Sequence, residues 1–188
     1  MASRNRPSLL SLIPNLINAL VPIGGVIFLA IGFSGLLVVG FGSIFSKDFI
    51  SGDGAGVVYT SERCADYFRF HPEAKDCYSA ATAHHYDEVV DIRGGIGAVG
   101  SMVLIAYYGL RRRFKWASDT RVIPRGFSST VAASLFGAAA FLLLGIFAMQ
   151  AGFGNTTGVG VLLASGLVSV VAFLAYATQL SRDLLRAG

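Results

Sequence analysis

The sequence predicts an all-α integral membrane protein: a four-transmembrane-helix bundle with an N-terminal amphipathic helix and a small disulfide-closed helical external loop. Three observations predict it. Hydrophobic residues make up 54% of the 188 and charged residues only 14%, too little polar surface for a soluble domain of this length. Four long runs contain no Asp, Glu, Lys, Arg or His. The basic residues between those runs gather on one side of the predicted topology.

The apolar character begins at Ser8, ahead of the first charge-free run. Residues 1–21 form a cytoplasmic N-terminus and an interfacial helix. Its polar positions Ser8, Ser11, Asn15 and Asn18 fall in one stripe of a 3.6-residue helix, opposite Leu9, Leu12, Ile13, Leu16 and Ile17. Pro22 and the Gly24-Gly25 pair predict a break or kink before the first span. A single long tilted helix is the other reading. The spans are predicted at 22–45, 94–110, 126–150 and 158–179, each near the ~20 residues needed to cross ~30 Å of hydrocarbon. In lipid such runs must be helical, because every backbone donor and acceptor has to be satisfied within its own segment.

Charge sets the orientation. Arg4 and Arg6, the 111–125 loop with Arg111, Arg112, Arg113, Lys115, Arg121 and Arg125, and the 180–188 tail with Arg182 and Arg186 all lie on one side. Only Asp119 and Asp183 oppose them there. The 46–93 loop on the other side carries nine acidic residues against five basic, and the 151–157 turn carries none. The positive-inside rule therefore places both termini in the cytoplasm of a plasma or bacterial inner membrane. The net charge of +4 is explained by membrane orientation and anionic lipid, and no nucleic-acid partner is expected. Arg111, Arg112, Arg113, Lys115 and Trp116 form a predicted lipid headgroup anchor.

Within the 46–93 loop, residues 46–57 are expected to be irregular, a helix starts near Ser61, and Pro72 is expected to open a second one. Cys64 and Cys77 flank the intervening turn, and an external, oxidising location makes a disulfide between them the expected state. His84, Asp87, Glu88 and Asp91 share one face of a helix, a spacing able to hold a divalent metal such as zinc. The alternative is a solvated acidic surface.

The charge-free runs contain no ionisable relay and no hydrolase motif, and no catalytic residues and no enzymatic activity are predicted. They do contain small residues at helix-packing spacing: Gly97 and Ser101 in the second span, Ala133, Gly137 and Gly145 in the third, and Gly160, Ala164, Ser165 and Ser169 in the fourth. Such residues let helices approach closely in lipid. The expected function is a non-catalytic tetraspan subunit that assembles with or stabilises a larger membrane complex. Its partners are lipid and either other membrane subunits or copies of itself. One alternative is a homo-oligomeric channel or carrier lined by Ser11, Asn15, Asn18 and Ser34; another is an outward-facing metal protein. No cofactor is required, although a bound lipid fits this class.

Overall fold

The computed structural model describes residues 9–51, 61–114, 127–154 and 158–185, all of whose regular structure is helical. Six helices follow in order: α1 (Leu9–Ile44), α2 (Lys47–Ser51), α3 (Ser61–Phe70), α4 (Cys77–Phe114), α5 (Phe127–Gly152) and α6 (Gly160–Leu185). α1, α4, α5 and α6 each hold a segment long and apolar enough to cross a membrane, which makes this a multi-pass membrane protein.

α1 runs unbroken through Pro22 and Gly24-Gly25, where the sequence predicted a break or kink. Pro22 has no N–H, so the carbonyl of Asn18 loses its helical donor. The Tyr107 hydroxyl of α4 stands 3.2 Å from that carbonyl and 3.1 Å from Asn18 Oδ1, and supplies the missing hydrogen bond from outside the helix. The second predicted span is likewise part of something longer. α4 starts at Cys77, so residues 77–93, expected to belong to the loop, continue the same helix. Pro72 lies in a turn, and the helix opens on Asp76, whose Oδ1 accepts from Ser79 N–H at 2.7 Å. Residues 47–51, expected to be irregular, form the short α2, with Ser46 Oγ accepting from Phe49 N–H.

Two helix pairs carry most of the packing, α1 with α4 and α5 with α6, and α1 joins the pairs by lying along α6. Among the described residues α4 makes no comparable approach to α5 or α6. The α1–α4 seam is built on glycine. A Cβ on Gly32 would stand 2.5 Å from the Gly97 Cα, and one on Gly97 would stand 2.6 Å from the Gly32 Cα. The same face of α1 sets Gly25 against Leu104, Gly35 against Arg93 and Gly42 against Tyr86. Backbones at this distance gain dispersion contact that larger side chains would prevent. In the other pair, Gly137 receives the Phe173 ring and Gly166 receives Leu144.

The interior is small. One cluster joins Ile23, Ala132 and Phe136, with Tyr176 stacked on Phe136; a second joins Val38, Ile50 and Ala164. Ile50 belongs to α2, so this short helix plugs the end of the bundle, and Gly160 packs beneath Phe49 and Ile50 rather than against a spanning helix. The Asp48 carbonyl accepts from Gly158 N–H at 3.0 Å, tying α2 to the start of α6. Gly154 and Gly158 hold positive φ of 79° and 71° in the α5–α6 turn, where a side chain would be strained.

Candidate functional site: an arginine held by two serines

The feature that the charge-free runs hid is Arg93. The predicted boundaries leave it as the last residue of the 46–93 loop; the structure engages it inside the bundle. Gly35 of α1 leaves room for its first carbon, with a Cβ built there meeting the Arg93 Cβ at 3.1 Å. The side chain then passes across α1 toward α6. Nη1 donates to Ser34 Oγ of α1 and, at 3.0 Å, to Ser165 Oγ of α6. Ser34 is essentially inaccessible and donates onward to the Ile31 carbonyl at 2.6 Å. Ser169 donates to the Ser165 carbonyl at 2.8 Å. One guanidinium thus links three spanning helices, including α4 and α6, whose backbones do not meet.

Charge at this site is unbalanced. A guanidinium carries five N–H donors, and only Nη1 finds protein acceptors among the described residues. Among the described residues no carboxylate lies within ion-pair distance of Arg93. Among the described residues no fully buried side-chain nitrogen or oxygen lacks a partner, so Nε and Nη2 are not wholly sealed from the surface. Ser34 and Ser165 also line a cavity of about 310 Å³ between α1, α5 and α6. Its remaining walls are apolar except for Ser169, and include Ile27, Ile31, Leu135, Phe136, Leu143 and Val168.

A second constellation lies in the disulfide-bonded cap. Cys64 of α3 is bonded to Cys77 at the start of α4, with Cα atoms 5.4 Å apart. Tyr67, Phe70 and His71 close over His84, whose ring stacks on Phe70 at 5.4 Å. The candidate metal ligands share a shallow depression but have separate partners. Asp87 Oδ2 is 3.6 Å from His71 Nε2, and Glu88 Oε2 is 3.5 Å from His85 Nδ1. Asp91 is exposed. Among the described residues no three His, Cys, Asp or Glu side chains are grouped to hold a metal ion. The buried member is His71, which the sequence did not single out; Glu73 also approaches it, at 3.4 Å.

The predicted packing residues divide by environment. Gly97, Ala133, Ala164 and Ser169 are buried; Ser101 donates to the Gly97 carbonyl, and Gly137 packs under Phe173. Ser165 serves Arg93, and Gly145 borders open space. Of the headgroup anchor, Arg111 and Arg112 are exposed at the end of α4 and Arg113 continues that helix. Lys115 and Trp116 lie outside the described residues. Asn18 and Ser34, the channel-lining candidates with described side chains, both bond to side chains of α4 within this chain.

No family model, curated protein or solved structure matches this chain.

Proposed function

We propose that this chain is a non-catalytic tetraspan subunit that assembles with, or stabilises, a larger membrane protein complex. Its termini and arginine-rich loop face the cytoplasm and its disulfide-bonded cap faces outward, across the plasma or bacterial inner membrane. The observation that carries this reading is the single attachment of α4. Among the spanning helices its backbone packs against α1 only. Its opposite side leaves Met102 and Ile105 exposed, with Gly95 and Gly109 bordering open space. A helix held along one seam, with room for close backbone approach on the other, is suited to receive a helix from another subunit. A homo-oligomeric pore is less well supported, since Asn18 and Ser34 are already engaged inside the protomer.

Photo-crosslinking in native membranes tests this. A photoreactive residue at Met102 is expected to join the chain to a second polypeptide, while one at the exposed Phe141 of α5 captures lipid. If both positions leave only the free 19.8 kDa chain, α4 faces lipid like the rest and the proposal fails.

A further inference from the structure

We propose that Arg93 is the head site for an anionic amphiphile of the bilayer, its phosphate or carboxylate on the Nη2–Nε edge and its chain in the α1–α5–α6 cavity. The argument starts from charge. A guanidinium inside an apolar bundle is stabilised by an anionic or hydrogen-bonding partner, and intramembrane arginines regularly have one. Here the two serine hydroxyls hold Nη1, fixing the plane of the group, and leave the remaining donors without acceptors among the described residues. Two parallel N–H groups in a rigid fork match the oxygens of a carboxylate or phosphate. The serine hydrogen bonds hold that fork in place before any ligand arrives, which lowers the entropy lost on binding.

The second half of the argument is the cavity. Ser34 and Ser165 belong both to the arginine's hydrogen bonds and to the cavity wall, so Nη1 stands one hydrogen bond from that wall, although Arg93 does not itself line it. From Ser34 the wall runs along α1 to Ile27, a distance of about 10 Å at the helical rise, with Ala139, Leu143 and Val168 facing it. Its 310 Å³ falls at the lower end of small-ligand pockets, roughly 300–1,000 Å³. Apolar walls favour a hydrocarbon chain over a hydrated ion. Depth agrees as well: Ser165 lies five residues after Gly160, about 7.5 Å inside the cap end of α6, within reach of a headgroup from that leaflet.

The test uses the full chain in phosphatidylcholine vesicles containing a minor share of dioleoyl phosphatidic acid, with lipids retained after detergent extraction read by native mass spectrometry. The natural chain is expected to enrich phosphatidic acid over phosphatidylcholine about tenfold or more, and Arg93→Gln to lose that enrichment, as expected for a charge-assisted hydrogen-bonded pair. Arg93→Lys keeps the charge without the fork and is expected to fall between them. Should Arg93→Gln fail to fold, Ala139→Phe carries the test: it fills the cavity, spares the arginine, and is expected to abolish retention of the long-chain lipid. Inorganic phosphate offered alone is expected to compete poorly, lacking a chain; full displacement by it would reduce the site to one for a free anion and overturn the proposal. Equal retention of both lipids would overturn it, as would a crosslink from position 93 to a carboxylate of another polypeptide.

Discussion

The hydroxyl of Tyr107 bonds to the backbone carbonyl of Asn18, the carbonyl that Pro22 leaves without a donor on its own helix. A defect in α1 is thereby repaired by α4. The repair converts a local weakness into a register mark: α4 can satisfy Asn18 only when Tyr107 stands at this level. Tyr107→Phe is expected to cost about 1 kcal/mol, the net worth of one hydrogen bond, and to lower the melting temperature in detergent. Pro22→Ala restores an N–H to the helix, so the Tyr107→Phe penalty should shrink markedly in the double variant. Equal penalties in both backgrounds would show that the two residues are not coupled.

Gly32 and Gly97 meet with no space for a side chain on either. Gly32→Ala or Gly97→Ala is expected to force α1 and α4 apart at a cost of about 1–3 kcal/mol, the usual range for overpacking. Gly95→Ala, two residues from Gly97 but bordering open space, should be neutral or mildly stabilising, because alanine is the better helix former. Thermal unfolding of the three variants in one detergent checks the contrast.

The Cys64–Cys77 bond closes a loop of sequence separation 13 and fastens α3 onto the start of α4. Its removal should release about 3 kcal/mol of chain-entropy stabilisation from the cap. The spanning helices should be untouched, since their packing lies elsewhere. Reduction is therefore expected to open residues 61–70 to proteolysis while total helicity changes little. Loss of helicity across the whole chain would contradict the separation of cap and bundle.

Asp76 caps α4, and its hydrogen bonds from the backbone and side chain of Ser79 hold its carboxyl below the ordinary carboxylate range. A carboxylate depressed in the folded state stabilises fully above its unfolded pKa, near 3.9, and loses that contribution as pH falls through the lower folded value. The protection of amides in the first turn of α4, relative to their intrinsic exchange at each pH, should fall on acidification below about pH 4. In Asp76→Asn the side chain cannot titrate, so that loss of protection should vanish.

The spanning architecture was legible because it depends on runs of residue type. Four stretches without charge state their own solvent, and the disulfide followed from two cysteines beside one turn. Three-dimensional proximity was the illegible part. Arg93 reads as the end of a loop because charge beside Gly94-Gly95 resembles an interface; only its alignment with Gly35 and reach to Ser165 place it among helices. Pro22 reads as a break because the donor that offsets it stands 89 residues away in the chain. His71 is unremarkable in sequence and buried only because α3 folds back over His84. The small-residue rows did predict contact, but not which neighbour each would meet: Gly160 found α2, and Gly145 borders open space.

The measurement closest to the whole account is two-sided thiol labelling of Lys75→Cys and Arg112→Cys in intact cells, with Cys64 and Cys77 held in their disulfide. These positions flank the apolar stretch of α4. An impermeant maleimide should modify position 75 from outside, and position 112 only after the membrane is permeabilised. Modification of both from the same side would mean that α4 does not cross the bilayer, and the bundle built around Arg93 would fall with it.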